Sequence, residues 1–426
     1  MQRIVDPESH AVEAVLADVW GARSVYQPIV DLDSRVVVGY EALARWPAVP
    51  GVDVGRVFDE AAGRGVVREL DWACRLAALS GAAEAGLSTE YSVFINVEPH
   101  NGPVIPDFAR RMLDSFDRPI NVVIELTERS LMSDPATLLT VVDAARRLGC
   151  SVALDDVGAN EATVTMLEFV APDIIKLDRT LVQSDPSPAQ ARVIAAVRAH
   201  AEFTGATILA EGVENEEHLA RARALGATLG QGWLFGRPAA LPSDTSRRRD
   251  VLERTPSVVS RRRSSAGSAV PEVPSDLFEE IAPLVGRKAF VLSMARQIED
   301  HARGAVDPLI VLSAFQRARW FAPNVVDRYA DLATLHPFIA ALGVGLPDEP
   351  APGVRGAALD ATERFSGEWT VTAVGRHYFA ALIARDLGDV DVPDADRRFE
   401  FILTHDRRLV VSAARSLMRR VLPSRG

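Results

Sequence analysis

The first 240 residues alternate short apolar runs with helical patterns, and this alternation restricts the fold more than any other feature of the sequence. Several runs are apolar at consecutive positions, as is typical of strands buried on both faces of a parallel sheet. Eight strands with interleaved helices predict an α/β fold, a TIM-like (β/α)8 barrel. We expect its strands at residues 25–30, 36–44, 92–97, 122–126, 151–154, 174–177, 207–210 and 229–234.

The pattern changes near residue 240 and again near residue 275. Between these points Ser, Arg, Pro and Thr predominate and periodicity fades, which indicates an exposed linker. Its two triple-arginine clusters leave two interpretations open, a solvated tether or a contact with anionic lipid or nucleic acid. We therefore predict a barrel domain at 1–240, a linker at 241–275 and a smaller, mixed α/β domain at 276–426.

The last domain has strand-like and helix-like stretches without a readable topology. We expect its strands at 309–315, 338–344, 369–374 and 399–404. We expect its helices at 277–285, 291–301, 325–335, 378–386 and 410–422.

Charge and composition narrow the functional classes. The formal net charge is −11, from 47 Lys and Arg against 58 Asp and Glu, and an acidic chain is a poor general binder of duplex DNA. The N-terminal residues are acidic rather than basic, unlike a signal peptide. No run of about 20 uncharged apolar residues occurs, so we expect no membrane span. The two cysteines, Cys74 and Cys150, suit a reducing cytoplasm.

Polar residues close the predicted strands, at the end of a (β/α)8 barrel where active sites lie. Carboxylates converging there from several strands would repel one another unless cations or protons balanced them. Carboxylate and amide oxygens suit Mg²⁺ or Mn²⁺ rather than zinc. An adjacent Asp-Asp pair is suited to bridging two ions about 4 Å apart, as in phosphodiester hydrolysis. These strand-end residues are Gln27, Glu41, Arg45, Asn96, Glu125, Glu128, Asp155, Asp156, Lys176, Glu211 and Gln231.

Eight segments, in order, resemble the motifs of the EAL domain family, which is named for the Glu41-Ala42-Leu43 triplet inside GYEALAR. The others are YQPIV (26–30), FINVEP (94–99), IELTE (124–128), ALDDVG (153–158), IIKLD (174–178), AEGVE (210–214) and GQGWLFGRP (230–238). The resemblance covers about residues 10–240. It implies a (β/α)8 barrel that hydrolyses the bacterial second messenger cyclic di-GMP to linear 5′-pGpG with two Mg²⁺ or Mn²⁺ ions.

The resemblance also implies a role for each matched residue. The implied ligands of the first metal are Glu41, Asn96, Glu125 and Asp155, and those of the second are Asp155, Asp156 and Glu211. Lys176 would hold or help polarise the attacking water, and Glu211 would be the general base. The implied substrate contacts are Gln27, Leu43, Arg45 and Gln231. The Arg45 guanidinium suits a phosphate because it donates two parallel hydrogen bonds.

One loop departs from the family pattern. Residues 155–167 read DDVGANEATVTML, where active members usually read DDFGTGYSSL. In the family this loop supports metal binding and a barrel–barrel homodimer, and Glu128 corresponds to the residue that anchors it. Altered support around metal ligands usually weakens activity rather than abolishing it. Two hypotheses follow: a cyclic di-GMP phosphodiesterase, or a weak or inactive barrel acting as a cyclic di-GMP receptor or protein-interaction module.

The C-terminal domain resembles the DICT sensory domain. The resemblance rests on RKAFVLSMARQIED (287–300), DPLIVLSAFQRARWF (307–321) and RYADLA (328–333). It implies that this domain senses an unidentified signal or ligand and regulates the barrel.

Overall fold

The computed structural model describes residues 7–87, 89–99, 102–116, 119–127, 132–158, 161–242, 270–389, 391–421 and 423. The chain divides into two compact units. The barrel unit comprises 1–130, 141–159 and 172–265, and the C-terminal unit comprises 131–140, 160–171 and 266–426. Most of the predicted linker, together with Glu128 and Asn160, lies outside the described residues.

The barrel unit contains a closed barrel of eight strands that pair in chain order, which confirms the predicted α/β barrel. The strands are β1 (Arg23–Asp31), β2 (Val37–Arg45), β3 (Ser92–Asn96), β4 (Asn121–Thr127), β5 (Ser151–Val157), β6 (Ile174–Leu177), β7 (Thr207–Ala210) and β8 (Leu229–Gln231). Strands β2 to β8 run parallel to one another. The barrel is therefore built largely as the alternating sequence pattern predicts.

Strand β1 differs because it runs antiparallel to both β2 and β8. Only the short segment 32–36 separates β1 from β2. A parallel pair needs a crossover of about a dozen residues or more, so this connection forms a hairpin instead. The reversal aligns Gln27 with Glu41 and Ile29 with Gln231.

One helix precedes β1, and the other helices of this part of the chain lie in the connections between strands. They are α1 (Pro7–Ala17), α2 (Val54–Arg64), α3 (Val67–Glu84), α4 (Asp107–Leu113), α5 (Pro135–Arg147), α6 (Glu161–Val170), α7 (Arg179–Gln183), α8 (Pro188–Thr204) and α9 (Glu216–Ala224). Local sequence sets several of their ends. Ser187 and Gln190 form a capping box at the start of α8, and the left-handed Gly205 ends it.

The C-terminal unit contains a seven-stranded sheet in the order β12-β11-β10-β13-β14-β15-β9. Its strands are β9 (Leu284–Arg287), β10 (Leu309–Arg317), β11 (Phe338–Val344), β12 (Arg355–Ala358), β13 (Glu368–Gly375), β14 (Phe379–Asp386) and β15 (Arg398–Thr404). Its further helices are α10 (Lys288–Gly304), α11 (Pro323–Leu335) and α12 (Arg407–Met418). Strands β10 to β12 are parallel and the remaining pairs are antiparallel, so the predicted mixed α/β class is correct.

Two expected helices of this unit are wrong. The helix expected at 378–386 is replaced by strand β14, Phe379–Asp386, whose FAALIARD run is buried on both faces between β13 and β15. A short apolar run of this kind does not distinguish a buried strand from a buried helix. Residues 277–285 instead divide between a 3₁₀ helix, Pro274–Glu279, and strand β9. Pro283 lies within the expected helix and has no backbone N–H to continue it. None of the described helices is both long and apolar enough to span a bilayer.

Candidate active site

Two layers of side chains fill the barrel interior. In the lower layer each of the eight strands contributes one buried apolar residue: Ile29, Val38, Phe94, Val123, Ala153, Ile174, Leu209 and Leu229. From β3 to β8, the residue two positions after each of these apolar residues is polar and lies in the strand or directly after it. Those six residues are Asn96, Glu125, Asp155, Lys176, Glu211 and Gln231. Because strand side chains alternate faces with a period of two, the polar layer lies directly above the apolar one.

Lys176 is the centre of the polar layer and is completely buried. Its Nζ lies 2.7 Å from Glu125 Oε1, 2.9 Å from Asp155 Oδ1 and 2.8 Å from Glu211 Oε1. Glu41 Oε2 lies further away, at 3.9 Å. The sequence contains only one other lysine, although arginines are abundant. The ammonium of a lysine is compact and has three N–H donors, so it can pair with several carboxylates at once. The planar guanidinium of an arginine instead pairs best with one carboxylate through two parallel hydrogen bonds.

Burial and mutual repulsion strongly perturb these groups. Burial alone would lower the pKa of Lys176, but the surrounding carboxylates outweigh it and raise that pKa well above its usual value. Burial raises the pKa of Glu125, and it raises the pKa of Glu211 to about 8 against the opposing effect of Lys176. Lys176 is therefore firmly protonated, while the carboxylates around it exceed the charge that one ammonium can balance.

The adjacent Asp155 and Asp156 both reach the same site, although successive strand residues normally face opposite ways. Pairing between β5 and β6 shifts register between Leu154 and Val157. At this irregularity Asp156 takes a left-handed conformation with φ 56°, which aspartate tolerates better than most residues. Ligand atoms of Asp155, Asp156 and Glu211 consequently lie within 4.8 Å of one another. Partial burial and the Asp155 charge raise the pKa of Asp156.

A second group of ligands converges beside the first. The Asn96 amide donates to Glu41 Oε1 at 3.3 Å and to Glu125 Oε2 at 3.2 Å. Five carboxylates and one amide thus converge at the barrel mouth, and four of the carboxylates lie 2.7 to 3.9 Å from the Lys176 Nζ. This oxygen-rich, negatively charged donor set fits Mg²⁺ or Mn²⁺.

Two glutamines connect the ligands to the rest of the mouth. The Gln231 Nε2 donates to Glu41 Oε2 at 2.5 Å and to Gln27 Oε1 at 3.1 Å, while the Gln27 Nε2 donates to the Gly236 carbonyl at 3.2 Å. The residue after Gln231 is Gly232, which has no side chain. A Cβ at this position would lie 2.1 Å from the Val213 carbonyl oxygen, so a larger residue would not fit. Among the described residues, nothing donates to the buried Oε1 of Gln231, so this acceptor is left unsatisfied.

Arg45 is exposed at the end of β2 and lines a cavity of about 460 Å³. Leu43 is half-buried on the same strand. The cavity also contains Arg237, a residue that the sequence analysis did not select. The Arg237 guanidinium lies 3.9 Å from the ring centroid of Trp233, so the side chain is braced rather than free. The sequence signal that could have identified Arg237 is its position in the Gly-Arg-Pro triplet at 236–238, which follows strand β8.

The structure brings together all the predicted metal ligands with Lys176, Gln27 and Gln231. Arg45 and Leu43 lie on the same strand as Glu41. Glu128 lies outside the described residues, as does part of the altered loop. The individual roles of the residues stay predictions.

The fold and the site together define the class of this protein. It is an α/β barrel with a cluster of carboxylates around a buried lysine at its mouth. The chain belongs to the EAL domain family, whose family model matches residues 21–238. A second family model, the sensory domain in diguanylate cyclases and two-component systems (DICT), matches residues 273–387.

Curated relatives align with the barrel region. Cyclic di-GMP phosphodiesterase RocR of Pseudomonas aeruginosa is 33% identical over 220 residues, covering 50% of this chain and 56% of that protein. Cyclic di-GMP phosphodiesterase PA2567 of the same organism is 28% identical over 225 residues, covering 51% of this chain and 38% of that protein. The alignments thus span about half of the first relative and less of the second.

Among solved structures, the manganese and cyclic di-GMP complex of Klebsiella pneumoniae BlrP1 at pH 6 is similar, with 28% sequence identity and a TM-score of 0.46. The match covers 51% of this chain and 56% of that one.

Proposed function

We propose that this protein hydrolyses cyclic di-GMP to 5′-pGpG by two-metal phosphodiester cleavage. The observation that carries the proposal is the convergence of four carboxylates on Lys176 at the barrel mouth, with Asp156 and Asn96 beside them. The named activity of RocR and PA2567, which align with this region, supports the same substrate.

In this proposal the metal ions are Mg²⁺ or Mn²⁺, and the ligand sets are those that the family resemblance implies. Glu41, Asn96, Glu125 and Asp155 hold one ion, and Asp155, Asp156 and Glu211 hold the other. When bound, such ions lower the pKa of water and neutralise negative charge on the phosphate and on the departing oxygen.

The protein's own residues position the water and move its proton. The Lys176 ammonium, fixed among carboxylates, donates a hydrogen bond to the attacking water. The Glu211 carboxylate, whose Oε1 lies 2.8 Å from the Lys176 Nζ, accepts the proton of that water. The water oxygen bonds to phosphorus, the bond from phosphorus to the 3′ oxygen breaks, and that oxygen takes a proton. The products are a 5′ phosphate and a 3′ hydroxyl on one linear dinucleotide.

Substrate contacts surround the metal ligands. In the proposal Arg45 donates to a phosphate oxygen of the substrate, and Leu43 contacts the nucleotide through apolar surface. Gln27 and Gln231 contact it through their amides.

The test is turnover of cyclic di-GMP by the purified full chain in Mn²⁺, in Mg²⁺ and in excess chelator, with chromatography of the products. We expect 5′-pGpG with either metal and none with the chelator. Metal-independent binding of cyclic di-GMP without any product would contradict the proposal and favour the receptor hypothesis.

A matched pair of variants tests the site. Asp155→Asn removes a charge that faces Lys176, and we expect it to abolish product formation. Asp185→Asn makes the same chemical change at the surface, where the Asp185 side chain is 95% exposed and pairs with Arg221 at 3.4 Å. An exposed ion pair of this kind contributes little, so this control should keep its activity. Equal activity of the two variants would refute the site.

We further propose that residues 276–426 form a regulatory domain joined by the linker 241–275 to the barrel domain 1–240, and that it responds to an unidentified signal. We propose a homodimer through the barrel, acting in the cytoplasm where a bacterial second messenger is found. Sedimentation equilibrium of the full chain tests the dimer, and a single monomeric species across the assay concentrations would contradict it.

A further inference from the structure

Helix α6 connects the two strands that carry the central catalytic candidates. In the chain it follows β5, which carries Asp155 and Asp156, and precedes β6, which carries Lys176. Although its neighbours β5 and β6 belong to the barrel unit, α6 groups entirely with the C-terminal unit, which includes residues 160–171.

Within the C-terminal unit, α6 is held by an ion pair between Glu168 and Arg407. The Arg407 Nε donates to Glu168 Oε2 at 2.9 Å, and Nη2 contacts the other carboxylate oxygen. This two-point pairing is specific in geometry, and the side chains are only 12% and 22% exposed. The Arg407 guanidinium also lies 5.1 Å from the ring centroid of Phe379, which restricts its movement.

Arg407 itself is rigidly placed. It is the first residue of α12, and the preceding Asp406 caps that helix by accepting from Leu409 N at 3.1 Å. Leu409 and Val410, in the same turn, are buried. The position of Glu168 is therefore tied to the packing of α12 in the C-terminal unit.

The far end of α6 passes into β6 through a tight turn. Ala171 has a left-handed φ of 47°, unusual for a residue other than glycine, and its N–H donates to the Leu167 carbonyl at 2.7 Å. Asp173 then binds β5 at Val152 twice, because its N–H donates to the Val152 carbonyl at 2.8 Å and its Oδ2 accepts from Val152 N at 2.9 Å. Lys176 follows three residues later. The chain between Glu168 and Lys176 is thus hydrogen-bonded to α6 at one end and to β5 at the other, which gives a continuous path from α6 to β6.

We propose that Glu168 and Arg407 are positioning residues for the catalytic site. Their ion pair sets the position of α6, and α6 sets the spacing between Asp155, Asp156 and Lys176. A signal that repacks α12 thereby changes metal binding and turnover at the barrel mouth. This inference deepens the proposed regulation and rests on the proposed function for its activity measurement.

The test uses the full chain and a neighbouring control. Arg407→Gln and Glu168→Gln each break the ion pair, whereas Arg408→Gln removes the next arginine of the same helix, which pairs with Glu280 at 2.7 Å. We expect the first two variants to lower kcat and to weaken Mn²⁺ binding measured by calorimetry, each by roughly three- to thirtyfold. KM for cyclic di-GMP should change little, and Arg408→Gln should resemble wild type.

Two further variants separate positioning from loss of folding. The double variant Glu168→Gln with Arg407→Gln should be no worse than either single variant, because both remove one interaction. The exchange Glu168→Arg with Arg407→Glu should recover part of the lost kcat. Thermal unfolding of each variant gives the folded fraction, and a fall in kcat that merely follows this fraction would overturn the inference.

The other results are equally decisive. Values of kcat and Mn²⁺ affinity for Arg407→Gln and Glu168→Gln that match those of Arg408→Gln would overturn the inference. If wild type binds Mn²⁺ but does not hydrolyse cyclic di-GMP, the proposed function fails. The comparison of Mn²⁺ affinities then still decides the positioning role.

Discussion

Both units of this protein bury carboxylates, but they hold them in different ways. In the barrel unit Glu125 is fully buried beside Glu41 and Asp155, and all three face Lys176. In the C-terminal unit Glu299 is buried with partners of its own, because it accepts from the Tyr329 hydroxyl at 2.9 Å and pairs with the Arg328 Nε at 2.7 Å. The buried Glu368 accepts from Ser275 N at 3.3 Å.

The difference concerns charge balance rather than burial. Burial raises the pKa of Glu299 and raises that of Glu368 to about 7, so both regions perturb their acids. Glu299 nevertheless has one hydroxyl donor and one cationic partner of its own, and Glu368 has the Ser275 donor. The barrel cluster has more carboxylates than its one lysine can pair, so the remaining charge must be balanced by bound protons, as the raised pKa values of Glu125 and Glu211 indicate, or by added cations. Several carboxylates converging at strand ends therefore indicate function, whereas a single acid with partners of its own indicates structure.

Removing the central cation should produce the largest effect. We expect Lys176→Met to lower turnover by roughly 10³-fold, because the attacking water loses its donor. In chelator the variant should also lose about 3–5 kcal/mol of unfolding free energy, because buried carboxylates lose their partner. Mn²⁺ should restore part of that stability. Urea unfolding with and without Mn²⁺, and product chromatography, measure both effects.

The only other lysine supplies the control for this experiment. Lys288 pairs with Asp394 at 2.6 Å and lies over the Trp320 ring, in the C-terminal unit. Lys288→Met should keep the metal dependence of stability seen in wild type. If Lys176→Met hydrolyses cyclic di-GMP at the wild-type rate, Lys176 has no part in catalysis, and the barrel cluster does not differ from the C-terminal acids in the way proposed.

Removing the charge of Glu299 tests whether the C-terminal acid is structural. Glu299→Gln leaves Arg328 without its counter-charge, and we expect about 3 kcal/mol less unfolding free energy. Turnover measured well below the unfolding transition should not change. Asp300→Asn is the matched control, because Asp300 pairs with Arg303 at 3.4 Å with both side chains more than a third exposed. Reduced turnover in folded Glu299→Gln would give this acid a functional role.

Glu368 should make the stability of the C-terminal unit depend on pH. Its pKa is about 7 in the folded protein, above the ordinary value of 4.5, so the folded state binds the proton more tightly. The contribution of this group is therefore fully present below about pH 4.5 and is lost as pH rises through 7, by roughly 2–3 kcal/mol. Glu368→Gln keeps an acceptor for Ser275 and should flatten this part of the profile. Parallel urea profiles for the two proteins from pH 4 to 8 would contradict this assignment.

The smallest effect is expected at the edge of the active site. Gln27→Ala removes hydrogen bonds to Gly236 and Gln231, and we expect KM to rise about fivefold, equivalent to about 1 kcal/mol. Gln316→Ala deletes a similar bond in the C-terminal unit, where the Gln316 Nε2 donates to the Gly367 carbonyl at 3.0 Å. That control should change KM for cyclic di-GMP little. Equal KM values would place Gln27 outside the substrate contacts.

Much of the barrel could be predicted because its signal is local. A strand alternates its faces, so an apolar residue followed two positions later by an acid, as in Val123 and Glu125, places both inside the barrel. The ordered motifs then identified the family without any coordinates. The C-terminal unit was harder, because β14 is a short apolar run that suits either a helix or a strand until its neighbours are known.

The sequence by itself determined the alternating barrel, the residue types at its mouth and the family, because each depends on spacing along the chain. Only the tertiary structure decided that Asp156 turns left-handed beside Asp155, and that Lys176 is central to four carboxylates from separate strands. It also decided that α6 groups with the C-terminal unit. Such features depend on contacts between residues far apart in sequence, and local periodicity carries no information about which distant side chains meet.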